Sequence, residues 1–139
     1  MKKDIEERND IELLVNSFYD KVKADPVIGF IFNDIARVNW KKHLPVMYDF
    51  WENTLLFTGN YTGNPMEIHR RLNQVIPLTP AHFQQWLVLF TTTVDELFAW
   101  QKAELAKQRA ISIAMLIQLK ILKQNLPTGQ AGRDIDKLQ

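Results

Sequence analysis

The sequence contains no cysteine among its 139 residues. This absence excludes disulfide bonds, thiolate metal sites and thiol nucleophiles, and it fits a reducing compartment without requiring one. No apolar run approaches the roughly 18 residues that a membrane span needs, and the N-terminus lacks the apolar core of a signal peptide. Excess charge is also missing, because 17 basic and 16 acidic side chains leave a net charge of +1. We therefore expect a cytoplasmic protein whose partners include neither nucleic acid nor a membrane.

Alternating apolar and polar runs bounded by turn residues, the pattern of β-strands, are nearly absent. Apolar residues make up 46% of the chain, and they recur at helical spacing instead. We predict an all-α protein with a single domain over residues 1–126 and a loose C-terminal tail over residues 127–139. The predicted helices cover residues 11–24, 40–57, 65–72, 80–100 and 104–126. The third and fourth helices each have a predicted cap followed by proline, at Asn64-Pro65 and Thr79-Pro80. The first has an apolar face formed by Ile11, Leu14, Val15, Phe18 and Val22.

The helix ends are predicted from capping residues and prolines. Residues 1–9 are polar and are expected to fray, and Asp10 is placed to cap the first helix. Pro45 lies inside the second predicted helix, where it removes a hydrogen bond and costs roughly 3 kcal/mol. That helix therefore either begins near Leu44 or kinks there, and the direction of the His43 side chain stays open.

His69 is a candidate metal ligand on the short third helix. It has two interpretations: a partly buried histidine bonded to a carbonyl, or a neutral imidazole that binds iron while its other N–H bonds a carbonyl. A zinc site would need three or four ligands, and the chain has no cysteine and no His-x-x-x-His pair. One protein histidine suffices for a haem iron. A metal at His69 would therefore come with a prosthetic group that carries its own nitrogens, whereas His82 is predicted to be a surface residue.

Tyr19 and Trp86 each carry one strong hydrogen-bond donor on an otherwise apolar body. They have two interpretations, since aromatic residues at helical spacing often form a core, while two donors in a dry pocket would stabilise a bound dioxygen molecule. His43 is either a third donor or gate, or a solvated residue. Met47 is an apolar wall in both interpretations. Arg70 and Arg71 follow His69 and are either a solvated pair or partners for a carboxylate such as a haem propionate.

Together, several segments of the chain resemble one known family, the truncated haemoglobins of group III. The match covers about residues 10 to 122, and its combined motifs are specific although each alone is weak. The segments are Phe18-Tyr19, Asp25-Pro-Val-Ile-Gly29-Phe-Ile-Phe32, Trp40-Lys-Lys-His43, Phe50-Trp51, Tyr61-Thr-Gly63-Asn-Pro65, His69 and Phe83-Gln-Gln-Trp86-Leu-Val-Leu-Phe90.

The resemblance implies a globin-like, two-over-two helical sandwich that holds a b-type haem (iron protoporphyrin IX) between its helix pairs. It also implies a role for each of six residues. These are His69 as the proximal iron ligand, Tyr19, His43 and Trp86 as distal polar residues, Phe32 as the aromatic packed on the haem face, and Met47 as a lining residue of the distal cavity. Pro45 departs from the family pattern and bears on the placement of His43.

The function we predict from these residues and the resemblance is reversible binding of dioxygen, nitric oxide or carbon monoxide. Two neutral hydrogen bonds of roughly 1 kcal/mol each would slow ligand release by tens of fold, which favours oxygen chemistry or sensing over bulk oxygen transport. Turnover of nitric oxide or peroxide, as a nitric oxide dioxygenase or peroxidase-like enzyme, would require a separate reductase. The alternative is a haem-free helical interaction or sensing module in which His69, Tyr19 and Trp86 are core residues.

Overall fold

The computed structural model describes residues 1–59, 61, 63 and 65–125, with only the backbone described for residues 65–68 and 70. Over these ranges the chain is helical and contains no strand, so the predicted all-α class is confirmed. The elements are α1 (Arg8–Ala24), a π-helical turn (Ile31–Ile35), α2 (Trp40–Leu56), α3 (Pro65–Val75), α4 (Pro80–Leu97) and α5 (Gln101–Asn125). The predicted tail over residues 127–139 lies outside the described residues.

The helices form two packed pairs. Helix α1 packs against both α2 and α4, α4 packs against α5, and α2 also contacts α5. The pairs α1–α2 and α4–α5 thus correspond to the two layers of a two-over-two sandwich. Helix α3 has its main contact with α5, so it stands beside the sandwich and not within either pair. No helix in the described part of the chain is long and apolar enough to cross a membrane.

Aromatic side chains fill the centre where the two layers meet. Phe18 of α1 and Phe90 of α4 are buried, with ring centroids 5.2 Å apart in an edge-to-face arrangement. Trp51 of α2 stacks on Phe90 at 4.7 Å, and Trp86 stacks on it at 5.6 Å. Burying each phenylalanine contributes about 1.5–3 kcal/mol. This cluster fixes α1, α2 and α4 relative to one another.

The N-terminal segment is ordered against the helices, so the expectation that residues 1–9 fray is wrong. Ile5 is buried, and the backbone carbonyl of Lys3 accepts a hydrogen bond from the N–H of Ala99 at 3.0 Å. The carboxylate of Asp4 accepts hydrogen bonds from the backbone N–H groups of Lys102 and Ala103, both at 2.9 Å. Asp4 therefore satisfies two of the open donors at the start of α5. The signal missed was Ile5, one apolar residue in a polar run.

The cap of α1 also differs from the prediction. Glu7 is the N-cap, and Asp10 lies three residues further on, where it completes a capping box. The Asp10 carboxylate accepts hydrogen bonds from the backbone N–H groups of Glu6 at 2.9 Å and Glu7 at 3.1 Å. An acidic residue at this third position satisfies N-terminal donors as well as an N-cap residue does. The helix accordingly begins two residues before Asp10, at Arg8.

The connection between α1 and α2 is tight. Helix α1 ends before Asp25-Pro26 as predicted. A Cβ added to Gly29 would lie 3.0 Å from the carbonyl oxygens of both Val22 and Lys23. Glycine is therefore needed for this turn to approach the last turn of α1. The π-helical turn that follows carries Phe32 to the edge of the core.

Helix α2 keeps its proline inside, so the suggestion that it begins near Leu44 is wrong. It starts at Trp40, and the Asn39 side chain accepts a hydrogen bond from the backbone N–H of Lys42. This N-cap supports the first turn, although Pro45 has no N–H to donate to the carbonyl four residues earlier. His43 is consequently held in regular helix.

The remaining helix ends differ from the prediction by a few residues. Helix α3 extends to Val75, α4 ends at Leu97, three residues before Trp100, and α5 begins at Gln101. The predicted Thr79-Pro80 start of α4 is confirmed. The predicted N-cap at Asn64 lies outside the described residues.

Candidate haem pocket

Tyr19 and His43 form the polar centre of the candidate site. Tyr19 is on the inner face of α1 and is only 6% exposed, while His43 is half-buried on the first turns of α2. The Tyr19 hydroxyl lies 3.3 Å from Nε2 of His43, and their rings are edge-to-face with centroids 5.3 Å apart. The α1–α2 packing thus brings together two of the three residues predicted for the distal pocket.

Burial keeps both groups neutral. Burial raises the pKa of the Tyr19 hydroxyl well above its usual range, so this hydroxyl retains its proton at neutral pH. The pKa of His43 is lowered, first by burial and second by the charge of His69. A neutral imidazole has one nitrogen that donates and one that accepts, so the Tyr19–His43 contact supports either direction of the hydrogen bond.

The two histidines of the candidate site lie on different helices. His69 is half-buried on α3, whereas His43 lies on α2, and α3 has its main contact with α5. The two imidazoles therefore come from helices that are not paired in the sandwich.

Trp86 lies on another side of the same region. It is half-buried, and its ring contacts Phe18 edge-on at 5.5 Å. Phe18 in turn packs on Tyr19 at 4.8 Å, so one aromatic residue separates the two proposed donors. Among the described residues, no hydrogen bond engages the indole N–H of Trp86.

The apolar residues predicted for the pocket lie at the margin of the core. Phe32 and Met47 are half-buried and pack against the main hydrophobic cluster, as do Phe50 and Leu72. Phe32 approaches Tyr19 edge-on, with centroids 6.2 Å apart. These side chains, together with one imidazole, suit a large apolar group that bears a metal. The residues present therefore fit a haem.

Arg71 is exposed on α3, two residues after His69. An exposed guanidinium in this position suits a propionate at the rim of a haem. The side chain of Arg70 lies outside the described residues.

His82 has a structural role that the sequence did not reveal. It is half-buried, and its Nδ1 accepts a hydrogen bond from the backbone N–H of Thr79 at 3.0 Å, which completes a capping box at the start of α4. Trp40 is a further residue to which no role was assigned. It contacts Tyr19, His43 and Phe32 at once. Its position three residues before His43, about one helical turn away, was a signal available in the sequence.

No family model matches the chain. The chain is 31% identical over 126 residues to "Group 3 truncated hemoglobin ctb" of Campylobacter jejuni subsp. jejuni, a match that covers 88% of this chain and 97% of the relative. Its fold is similar to the crystal structure of the group III truncated haemoglobin from Campylobacter jejuni, with a TM-score of 0.78 over 91% of this chain and all of the other.

Proposed function

Because the chain belongs to the group III truncated haemoglobins, a family of haem globins, we propose that it binds dioxygen and other diatomic ligands in a polar distal pocket. The observation that carries this proposal is the buried Tyr19 hydroxyl, 3.3 Å from Nε2 of His43 within an otherwise aromatic setting. A buried hydroxyl is costly unless it has a hydrogen-bond partner, and at 3.3 Å His43 is a weak one. A ligand that accepts a hydrogen bond provides such a partner.

His69 is the residue that we propose as the protein ligand of the haem iron. It lies on α3, the helix that stands beside the sandwich. A bound b-type haem would supply an iron that takes up the diatomic ligand, and His69 would hold that iron. Phe32 and Met47 provide apolar contact to the cofactor, and Arg70 and Arg71 are placed in sequence to pair with its propionates.

Tyr19 has the role of the principal hydrogen-bond donor to the ligand. Its proton stays on the oxygen because burial raises the pKa of the phenol. When this proton turns toward a ligand, the Nε2–H tautomer of His43 can donate to the phenolic oxygen. The hydrogen bond that His43 donates would thus replace the one that Tyr19 had donated to His43. Trp86 adds a second donor from α4.

An absorption titration tests the proposal. Purified protein is titrated with ferric haem, reduced, and exposed to carbon monoxide. We expect an intense band near the violet edge of the spectrum that shifts when carbon monoxide binds. His69→Ala should lose most haem binding, since no second imidazole replaces it on α3.

The matched control for the titration is His82→Gln. Glutamine at this third helix position preserves the capping box, so the haem affinity should match that of the parent. Unchanged haem affinity in His69→Ala would remove His69 from its role, and a parent protein without the haem band would refute the function.

A further inference from the structure

Trp40 contacts three of the side chains assigned to the pocket. Its ring centroid lies 5.2 Å from that of Tyr19 and 5.8 Å from that of His43, and both contacts are strongly inclined, at 56° and 79°. Phe32 lies nearly parallel to it at 6.2 Å. Inclined aromatic pairs are held by the attraction between a positive ring edge and a negative ring face. One indole therefore restrains the two polar rings and their apolar neighbour together.

The position of Trp40 is itself supported from two sides. It is the first residue of α2, directly after the Asn39 cap. The Nζ atom of Lys23 lies 4.5 Å from the centroid of the Trp40 ring, a cation–π contact from the last turn of α1. The Lys23 carbonyl also accepts a hydrogen bond from Nδ2 of Asn33 at 3.0 Å. The end of α1, the π-helical turn and the start of α2 thus meet around this indole.

The hydrogen bond between Tyr19 and His43 does not by itself explain why both rings are held in place. The Tyr19–His43 distance of 3.3 Å lies beyond the usual range for a strong hydrogen bond. It is also the bond that Tyr19 must exchange when a ligand arrives. Something other than this bond has to keep the rings in place during the exchange.

We propose that Trp40, with Lys23 over its ring, is the positioning residue that orients the Tyr19 hydroxyl for hydrogen bonding to a bound diatomic ligand, and His43 for hydrogen bonding to Tyr19. This inference rests on the proposed function. Without the indole, Tyr19 can rotate away from the ligand while the pocket stays apolar. Loss of Trp40 should therefore raise the dissociation rate of dioxygen by about threefold to tenfold, the effect of losing one or two aromatic contacts.

The experiment measures dioxygen dissociation by stopped flow in haem-loaded protein. Trp40→Leu should raise the rate in the parent background and change it by less than twofold in the Tyr19→Phe background, because the indole acts through the phenol. Trp40→Phe should restore part of the slow release. Equal effects in both backgrounds, or an unchanged rate in the parent background, would overturn the proposal.

Two further variants separate positioning from general damage. Lys23→Met removes the cation but keeps the indole, so it should raise the rate in the same direction by a smaller factor even if Trp40→Leu folds poorly. Trp100→Leu is the matched control, since Trp100 is 65% exposed at the turn between α4 and α5. Its rate should equal that of the parent. A Lys23→Met rate that also equals the parent rate would count against the proposal.

A second measurement does not depend on haem. In protein labelled with ¹³C-tyrosine and kept free of haem, the two sides of the Tyr19 ring should give separate NMR signals, because the restrained ring flips slowly. Trp40→Leu or Lys23→Met should merge them, and Tyr19→Phe assigns them. Merged signals in the parent, or separate ones in both variants, would overturn the inference. Failure of the parent to bind haem would instead refute the proposed function.

Discussion

The Tyr19 hydroxyl oxygen and the His43 Nε2 atom lie 3.3 Å apart, and this contact links the buried face of α1 to the first turns of α2. Neither group is charged at neutral pH, because burial raises the pKa of Tyr19 and lowers that of His43. The pocket therefore offers directional hydrogen bonds without a fixed charge. That property suits a small ligand whose polarity develops only on binding.

Replacing Tyr19 with phenylalanine should speed dioxygen release. The variant keeps the ring packing and removes the hydroxyl, so the dissociation rate should rise roughly fivefold to a hundredfold, depending on the charge that the ligand carries. Stopped-flow displacement by carbon monoxide measures this rate. Tyr48→Phe is the control, because the Tyr48 hydroxyl donates to Asn16. An equal rise in both variants would contradict a specific role for Tyr19.

Trp86→Phe should raise the same rate by a smaller factor. Phenylalanine retains a ring to pack on Phe90 and Phe18, so the change removes the indole N–H with limited loss of packing. Loss of one neutral donor is worth about 1 kcal/mol, or roughly fivefold in rate. Trp100→Phe serves as the control. A rate for Trp86→Phe that matches the control would exclude the indole as a donor.

His43 should make stability depend on pH in a defined direction. Its pKa in the folded protein lies below the ordinary value of 6.5, so below pH 6.5 the unfolded chain binds more protons at this site than the folded chain does. Its contribution to the free energy of unfolding is therefore complete above pH 6.5 and is lost as pH falls toward the lowered pKa, with a slope of at most about 1.4 kcal/mol per pH unit.

Urea unfolding of the parent and of His43→Leu, between pH 5 and 8, measures this effect. The other titrating groups are the same in both proteins, so their contributions cancel in the difference in unfolding free energy. The unfolding free energy of the parent should decrease relative to that of His43→Leu as the pH falls below 6.5. A difference that stays constant across the range would show that His43 has the same pKa in both states.

Asp4→Ala should destabilise the protein by about 1–2 kcal/mol. Its carboxylate accepts two backbone N–H groups at the start of α5, and removing a helix cap costs about this much. Chemical unfolding followed by circular dichroism measures the loss. Asp4→Asn should retain part of the stability through its amide oxygen. The control is Asp20→Ala, an exposed position on α1, and a loss no larger than in this control would contradict the capping role.

The helices could be predicted from the sequence because their apolar spacing and capping residues are local. The buried face of α1, with Ile11, Leu14, Val15, Phe18 and Val22, is confirmed, as is the capped start of α4 at Thr79-Pro80. The anchored N-terminus was missed because Asp4 caps a helix that begins almost a hundred residues later. No local pattern carries such a contact.

In the candidate site as well, the residues could be proposed from the sequence, whereas their contacts could not. Tyr19, His43 and Trp86 could be proposed from side-chain chemistry and the family resemblance, and their functional roles remain predictions. The Tyr19–His43 contact and the place of Trp40 depend on how α1 meets α2. Pro45 left the direction of His43 open, whereas Asn39 and the packing of α2 against α1 determine it.

The bond from Asp4 to the start of α5 also orders events during synthesis. The N–H groups that Asp4 accepts belong to Lys102 and Ala103, 98 and 99 positions further along the chain. Until the ribosome has released that stretch, the Asp4 carboxylate lacks these two donors, and the Lys3 carbonyl lacks the N–H of Ala99. Consequently α1 and α2 are free to pair early, whereas closure of the amino-terminal end waits for the final helix to emerge.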